Sequence, residues 1–302
     1  MRNPGAEVHP PAAAVREAVA RALAEDVLAL GDLSAAVVRE GAVARFALAT
    51  RAQGVVAGQR CVEESFRQVD PGLSVVWHRP DGCRVGPGDV VAEVSGPLRP
   101  ILTAERTALN FLCHLSGVAT LTRRFVDAVT AVDPSVRVLD TRKTTPGLRA
   151  LEKAAVRAGG GHNHRASLSD AVMVKDNHLA GVGITEAVDR ARTLWPGRMI
   201  EVECDRPEQV EEACRAGATA VLLDNMSPAE AAESAALARR TAADAGVLVE
   251  VSGGVNLDTA AAYAAAGVDV ISVGALTHSA PVLDLGLDLV AVDVANRPEM
   301  ED

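Results

Sequence analysis

The lysines of this chain are few and close together. Lys143, Lys153 and Lys175 are its only three lysines, although lysine and arginine together number 30. A chain that otherwise uses arginine retains lysine where a compact ammonium is needed, so these positions indicate chemistry. Between residues 140 and 178, seven Lys or Arg stand against four Asp or Glu, whereas the whole chain has a formal charge of −10. A cationic stretch in an acidic protein predicts a small anionic ligand, because nucleic acid or a membrane would favour a broad basic surface.

Polar residues also stand at the carboxyl end of one predicted strand after another. In an α/β barrel these strand ends converge on one face, where the active site lies. We therefore expect cations, two carboxylates and two glycine turns to share one barrel mouth. The residues concerned are Arg142, Lys143, Lys175, Asp176, Asn177, Glu203, Asp224, Asn225, Ser252, Gly253, Gly254, Gly274 and Ala275.

Two glycine-containing turns, SGGV (252–255) and SVGA (272–275), each follow a strand and precede a predicted helix. Backbone N–H groups at the start of a helix can bind phosphate, although a glycine can also serve only to make the turn. Two such turns at the end of a barrel favour a phosphate site, because the last two strands of these barrels often form one.

Two carboxylates, Glu203 and Asp224, end neighbouring strands in a mouth otherwise rich in cations. They can accept hydroxyl groups of a sugar or hold Mg²⁺ on a polyphosphate, since this ion prefers oxygen ligands. The alternative is that they only neutralise nearby Arg and Lys. Beside a phosphate site we favour the ligand-binding role.

The other lysines and histidines have more than one interpretation. Lys175 can form a Schiff base, as in barrel aldolases, or bind an anion as a charge. Lys153 has an arginine four residues before and after it, which predicts a solvated helix face. The histidines lack zinc-ligand spacing, and His164 beside Arg165 fits hydrogen bonding to an anion better. Outside this stretch, His9 and His78 are expected at the surface, and His114 is expected to have a structural role in the long helix.

The barrel mouth requires parallel strands that alternate with helices, and the sequence from about residue 136 has this pattern. Six short β-branched runs alternate with alanine-rich amphipathic stretches, which predicts a parallel sheet covered by helices. Six units fall short of eight, so we predict an α/β fold with an incomplete (β/α) barrel of about six to seven strands. The predicted strands are residues 136–141, 171–176, 199–204, 220–225, 248–253 and 270–275, and the predicted helices include 148–159, 207–217, 228–246 and 257–267.

The first part of the chain has a different pattern, typical of a separate α+β domain. A helix is predicted over 12–30, strands over 43–50 and 73–78, a turn-rich segment over 82–98 and a long helix over 101–129. We predict an N-terminal domain of residues 1–115 that a C-terminal segment, 286–302, rejoins, and a barrel domain of residues 116–285.

The composition excludes several classes of protein. Aromatic residues make up only 2% of the 302 residues, so stacking platforms for single-stranded nucleic acid are not expected. The five cysteines form no CxxC pair, which is typical of reduced thiols in a cytoplasmic protein. No uncharged apolar run approaches the roughly 18 residues of a membrane span, so we expect no membrane partner.

Eight polar motifs, in order from about residue 25 to 290, resemble those of the quinolinate phosphoribosyltransferases, the carboxylating nicotinate-nucleotide pyrophosphorylases of NAD biosynthesis. The resemblance is specific because the central blocks carry several polar residues that a barrel does not require. The motifs are ERTALNFL (105–112), DTRKTTPGLR (140–149), GGGHNHR (159–165), VKDNH (174–178), EVEC (201–204), LLDN (222–225), EVSGGV (250–255) and ISVGALTHS (271–279).

The resemblance implies a reaction in which quinolinate and 5-phosphoribosyl 1-diphosphate give nicotinate mononucleotide, diphosphate and CO₂, with Mg²⁺. It also implies an N-terminal α/β sandwich domain, and a homodimer or a hexamer of dimers. In the implied site, Thr141 lies among the substrate-binding residues, and Glu203 and Asp224 serve the metal. Quinolinate is bound by Arg142, His164, Arg165 and Lys175 with Arg106 of a second subunit, the diphosphoribosyl substrate by Lys143, Glu203 and Asp224, and its 5-phosphate by Ser252, Gly253, Gly254, Val273, Gly274 and Ala275.

Two other enzymes remain as alternatives. One is the related phosphoribosyltransferase-like protein of molybdate-transport systems, and the other is a barrel aldolase with a Schiff base on Lys175. A module that only binds an anion does not explain carboxylates suited to Mg²⁺ beside a phosphate site.

Overall fold

A computed structural model describes residues 8–293 of the chain. These residues form two compact units, the first from 8–121, 145–160 and 280–293, and the second from 122–144 and 161–279. The predicted division instead gave 116–121, 145–160 and 280–285 to the barrel. They cluster with the first unit because the helix in 145–160 packs on the N-terminal helix, and the Leu283 N–H donates to the Cys113 carbonyl. The last nine residues of the predicted return segment lie outside the described residues.

The first unit contains a four-stranded antiparallel sheet in the order β12-β1-β5-β3. At the start of β1, Ala44 is buried between the exposed Val43 and Arg45, which is the alternation of a strand with one covered face, whereas every residue from 46 to 50 is buried, so the strand is covered on both faces there. The strands are β1 (Val43–Thr50), β3 (Ser74–Trp77), β5 (Val90–Pro97) and β12 (Leu285–Asp293), with β2 (Gly54–Val55) and β4 (Arg84–Val85) forming a separate pair.

Helices pack on this sheet and share its core with the strands. Ile101, Ala104, Ala108, Leu112 and Leu115 recur every three or four residues of one helix and are all at most 2% exposed. The N-terminal helix ends four residues earlier than predicted. The helices are α1 (Ala12–Asp26), α2 (Gln59–Val69), α3 (Leu98–Thr130), which continues into the second unit, and α4 (Arg149–Ala158).

The prediction that Lys153 lies on a solvated helix face is wrong. This residue is 3% exposed, and every residue from 151 to 156 in α4 is buried. Because both faces of α4 are covered, the spacing of Arg149, Lys153 and Arg157 does not mark a solvated surface.

The second unit is built on six parallel strands in the order β6-β11-β10-β9-β8-β7, and the predicted fold class is confirmed. Each of the six predicted strands is present. The short segment at His162 bridges to Leu139 beside β6, so a seventh chain segment extends the sheet on that side. The strands are β6 (Arg137–Leu139), β7 (Val172–Val174), β8 (Ile200–Cys204), β9 (Ala220–Asp224), β10 (Leu248–Ser252) and β11 (Val270–Ser272).

Helices follow the strands, as the βα repeat requires. The clearest start is at Ser227, whose hydroxyl accepts from the Glu230 N–H while the Glu230 carboxylate accepts from the Ser227 N–H, a capping box. Across residues 8–293 we find no helix with the length and apolar character needed to cross a bilayer. The helices are α5 (Ile184–Leu194), α6 (Pro207–Arg215), α7 (Pro228–Ala242), α8 (Ala260–Ala264) and α9 (Ala275–His278).

Candidate active site

The register of the parallel sheet determines which polar side chains share its inner face. Residues paired across parallel strands lie on the same side, and so do residues two apart along a strand. Glu203 pairs with Leu222, and Asp224 pairs with Ser252, so Glu203, Asp224 and Ser252 share one face. Met173 on β7 pairs with Glu201 and therefore lies on this face as well, and Lys175 follows Met173 by two residues. The polar residues expected at these strand ends therefore do converge.

Lys175 follows β7 and forms an ion pair with Glu203 on the neighbouring strand, between its Nζ and Glu203 Oε2. Both side chains are partly exposed, as expected for groups at the rim of a site. The Lys175 N–H donates to His178 Nδ1 over 3.0 Å, at the start of a 3₁₀ turn. An amine paired with a carboxylate acts as a charge, whereas a Schiff-base lysine has to be a neutral nucleophile.

His164 lies against two glutamates that were not predicted as site residues. Its Nε2 is 3.2 Å from Glu201 Oε2 and 3.4 Å from Glu250 Oε2, and both carboxylates are almost fully buried. Burial opposes protonation of the ring, but the hydrogen bonds and charges of the two glutamates outweigh it and raise the pKa of His164 to about 10. Burial also raises the pKa of Glu201, and the His164 contact only partly offsets this.

The proton on His164 Nε2 is fixed by a contact on the other side of the ring. The Arg165 backbone N–H donates to Nδ1 over 2.7 Å, which requires a lone pair there, so in this geometry the ring carries one proton, on Nε2; a second proton, which the two glutamates favour, would break this contact. The Nε2 proton therefore faces the carboxylates. Oxygen and nitrogen atoms of His164, Glu201 and Glu250 lie within 4.8 Å of one another, which is close enough to hold a metal ion. A metal on Nε2 would need that nitrogen unprotonated, so the geometry favours a hydrogen-bonded cluster.

The segment that carries His164 and Arg165 is held to β6 by Asp140. This buried carboxylate accepts from Asn163 Nδ2 at 2.6 Å and from the His164 N–H at 2.9 Å. The Arg165 guanidinium donates to the Ala171 carbonyl over 3.2 Å. Burial and the nearby Arg142 guanidinium lower the pKa of Arg165. Two neighbouring guanidinium groups are a site for an anion with more than one carboxylate or phosphate group.

The loop after β6 lies against the last glycine turn. The Lys143 N–H donates to Thr141 Oγ1 over 3.0 Å, and Thr277 Oγ1 donates to the Lys143 carbonyl over 2.7 Å. A Cβ added to Gly274 would lie 3.2 Å from Lys143 Cδ and 3.1 Å from His278 Nε2. Lys143 therefore lies beside the turn that contains Val273, Gly274 and Ala275.

The other glycine turn needs both of its glycines. Gly253 and Gly254 have φ values of +86° and +63°, and a Cβ on Gly253 would lie 2.2 Å from Asn225 Oδ1. The expected helices after the two turns differ from those observed, because α8 begins six residues after Gly254 and α9 has only four residues. Backbone N–H groups of the turns themselves, rather than long helices, are the available phosphate donors.

Arg106 belongs to the first unit. Its side chain is 75% exposed and lies 3.9 Å from Glu105, a weak surface contact. Asn110, one turn later on α3, is also exposed, while Leu109 and Leu112 are buried, so Arg106 and Asn110 share an exposed face of the helix.

Glu201 and Glu250 are the residues that the sequence reasoning missed. A signal was available, because Glu201 precedes Glu203 by two positions and Glu250 precedes Ser252 by two. Side chains two apart on a strand share a face, so both glutamates had to lie in the barrel interior if Glu203 and Ser252 did.

Comparison with known proteins agrees with this architecture. Family models described as "Quinolinate phosphoribosyl transferase, N-terminal domain" and "C-terminal domain" match residues 32–116 and 118–288. The nicotinate-nucleotide pyrophosphorylase [carboxylating] of Mycobacterium leprae is 43% identical over 281 residues, covering 91% of this chain and 97% of that protein. The human enzyme of the same name is 40% identical over 268 residues, covering 88% and 89%.

Solved structures give the same result. The nicotinate-nucleotide pyrophosphorylase from Francisella tularensis superimposes with a TM-score of 0.87 at 37% identity, covering 93% of this chain and 98% of that one. That from Ehrlichia chaffeensis gives 0.84 at 37% identity, covering 91% and 98%. With matching models for both domains and relatives alike over nearly their full length, this chain belongs to the quinolinate phosphoribosyltransferase family.

Proposed function

We propose that the chain transfers the phosphoribosyl group of 5-phosphoribosyl 1-diphosphate to the ring nitrogen of quinolinate. Diphosphate and CO₂ are released, and nicotinate mononucleotide is formed for NAD biosynthesis. The observation that carries the proposal is that Glu203, which pairs with Lys175, shares one barrel face with Asp224 and Ser252, while the charges of Glu203 and Arg142 act on the Arg165 guanidinium. This set suits a dianionic ring and a phosphorylated sugar together.

Quinolinate is a planar dianion, and the cations match it. Arg142 and Arg165 offer guanidinium forks for two-point contacts with carboxylates, and Lys175 offers a compact charge. His164 lies beside Arg165 in the same set. A monocarboxylate such as nicotinate would leave part of this set unpaired, which is costly in a partly buried site. We therefore expect discrimination against nicotinate.

The phosphoribosyl donor would occupy the other side of the same mouth. Ser252, Gly253 and Gly254 in one turn and Val273, Gly274 and Ala275 in the other supply backbone N–H groups for its 5-phosphate. Lys143, beside the second turn, would bind its diphosphate. Glu203 and Asp224 share the inner face and supply oxygen donors, which is the ligand type that Mg²⁺ prefers. When bound, Mg²⁺ would neutralise charge on the diphosphate.

The chain's own groups then favour each stage of the reaction. As the bond from C1 to diphosphate breaks, positive charge develops on the ribose, which the neighbouring carboxylates stabilise, while Lys143 stabilises the departing oxygens. The pyridine nitrogen supplies the electron pair for the new bond to C1, so no general base is required. The 2-carboxylate then leaves as CO₂, and the electron pair at C2, adjacent to N⁺, takes up a proton.

Three further features are part of the proposal. Arg106 would enter the site of a second copy of the chain in a homodimer, since its side chain is exposed and its only ion pair within the described chain is the long contact with Glu105. The dimers would be able to assemble further, up to a hexamer of dimers. The five cysteines are free thiols, as expected in a reducing compartment such as the cytoplasm.

The test is to mix the purified protein with Mg²⁺, phosphoribosyl diphosphate and either quinolinate or nicotinate, and to measure mononucleotide and CO₂. We expect product from quinolinate and little from nicotinate. Equal turnover of the two acids would contradict the proposed specificity. Borohydride with substrate separates the aldolase alternative, because a trapped adduct on Lys175 would require Schiff-base chemistry. Absence of any turnover with either acid would leave the molybdate-transport relative as the better assignment.

A further inference from the structure

Glu201 and Glu250 are unusual among the buried carboxylates of this chain because their hydrogen-bonding capacity is not filled. They are 0% and 1% exposed, and neither oxygen of Glu201, nor Oε1 of Glu250, accepts a hydrogen bond from any residue in 8–293; the 3.2 Å approach of Glu201 Oε2 to His164 is a contact between charged groups. A buried carboxylate without full pairing is costly, and apolar side chains in its place are often neutral or stabilising. Such groups are therefore expected where a function requires them.

The contacts of the two glutamates lead to one ring. His164 Nε2 lies within 3.2 Å of Glu201 and 3.4 Å of Glu250, and Nδ1 accepts the Arg165 N–H at 2.7 Å. Both nitrogens of the imidazole are thereby engaged, so the ring is held on both sides. Its orientation and the position of the Arg165 backbone are linked through these contacts.

Arg165 connects the His164 ring to the other cations of the site. Its guanidinium donates to the Ala171 carbonyl at 3.2 Å and reaches Met173 Sδ at 3.3 Å, at the start of the strand that leads to Lys175. Arg142 is close enough to lower its pKa. A displacement of the His164 ring would therefore shift one of two neighbouring guanidinium groups.

We propose that Glu201 and Glu250 are positioning residues for the pyridine dicarboxylate, which hold the His164 ring through their contacts with Nε2 and thereby fix Arg165 in the cation cluster. The proposal rests on the proposed function, since it assigns to quinolinate the part of the mouth that Arg142 and Arg165 form. Neither glutamate needs to touch the substrate. Both glutamates lie two residues before Glu203 and Ser252 on the same strands and the same face of the sheet, so they act one layer deeper in the barrel than the substrate.

The matched test compares Glu201→Gln and Glu250→Gln with Asp269→Asn. Asp269 lies next to the amino end of the same sheet, where it accepts from the Val249 N–H at 2.7 Å and pairs with Arg239. We expect kcat/KM for quinolinate to fall on the order of 10²-fold in the glutamate variants, as for a displaced binding group. The KM for phosphoribosyl diphosphate should change little, and Asp269→Asn should resemble wild type. An unchanged KM for quinolinate in both glutamate variants overturns the proposal.

Thermal stability separates positioning from a structural role. Glu201→Met removes the charge and keeps an unbranched side chain, so we expect it to fold with a Tm at or above that of wild type while quinolinate binding is weakened. A lowered Tm with quinolinate affinity unchanged would assign the carboxylate a structural role and overturn the proposal.

A double-mutant cycle with His164→Asn tests whether the glutamates act through the ring. In the His164→Asn background, Glu250→Gln should lower kcat/KM for quinolinate little further, because the histidine that Glu250 contacts is already absent. Fully additive losses would mean that Glu250 acts by another route.

In wild type, a histidine N–H signal in ¹⁵N NMR should come from Nε2 of His164, and a ring protonated on Nδ1 alone contradicts the geometry. Wild-type turnover of quinolinate is measured first, so that its absence counts against the proposed function rather than against the positioning role.

Discussion

Two buried histidine–glutamate contacts in this chain differ in how completely the carboxylate is used. In the first unit, Glu152 Oε1 lies 2.9 Å from His114 Nε2, and its Oε2 accepts the Thr145 N–H at 3.1 Å. In the barrel, Glu201 and Glu250 share His164 and leave acceptor atoms unused. All three glutamates are at most 1% exposed. Burial therefore does not distinguish a structural carboxylate from a functional one, whereas unfilled acceptor capacity does.

The largest effects should come from the cations on the functional side of this comparison. Lys143→Ala and Lys175→Ala should each reduce kcat/KM by about 10²- to 10³-fold, as for loss of a group that stabilises developing charge. Initial rates with quinolinate measure this, and borohydride treatment of wild type with substrate should trap no adduct. Near-normal rates in either variant would remove that lysine from the site.

Glu203→Ala and Asp224→Ala sharpen the comparison within the barrel. Because the proposed function assigns them to the phosphoribosyl donor and Mg²⁺, we expect a loss of about 10²-fold in use of that donor with quinolinate binding largely intact. Titration calorimetry with each substrate measures the difference. Loss of quinolinate binding in both variants, with the Mg²⁺ dependence unchanged, would contradict the division of the mouth.

Arg106 tests whether the first unit also contributes to chemistry. Arg106→Ala and Lys175→Ala proteins, each inactive alone, should regain part of the activity when mixed, because a mixed dimer contains one intact site. Subunit exchange is verified with differently labelled proteins. If exchange occurs and no activity returns, the site is not shared through Arg106.

Glu152 should behave in the opposite way to the barrel glutamates. Glu152→Ala leaves the Thr145 N–H and His114 without their acceptor, so we expect a loss of about 1–3 kcal/mol in the free energy of unfolding. Denaturant titration measures the stability, and KM for quinolinate is the control. A rise in KM with stability unchanged would reverse the assignment of the two clusters.

The smallest expected effect is a dependence of stability on alkaline pH. The folded-state pKa of His164 is raised to about 10. Its contribution to the free energy of unfolding is therefore fully present below the unfolded pKa of 6.5 and is lost as the pH rises towards 10. We expect wild type to lose at least about 1 kcal/mol more than His164→Asn between pH 7 and 10, since a tenfold change in proton affinity corresponds to roughly 1.4 kcal/mol. Parallel stability curves would show that the Arg165 contact at Nδ1 keeps the ring neutral.

The elements of this fold were more predictable than the interior of the site. β-Branched runs and alanine-rich stretches identify all six barrel strands, and residues 43–50 and 101–129 match an observed strand and helix closely. These patterns are local, so they are visible in the sequence. The burial of Lys153 and the pairing of His164 with two glutamates depend on contacts distant in sequence. Only the two-residue spacings, of Glu201 with Glu203 and of Glu250 with Ser252, offered a local indication of that pairing.

The C-terminal strand has a consequence for how the chain folds during translation. β12 pairs with β1 along its whole length, from Thr50 with Leu285 to Val43 with Asp293, and so connects residues more than 230 positions apart. The first sheet therefore cannot be completed until the ribosome has released nearly the whole chain, although domains usually fold in the order of synthesis. The barrel, whose strands all lie between residues 137 and 272, is available to fold earlier. Until then β1 retains an unpaired edge, which makes it the segment most exposed to mispairing with another nascent chain.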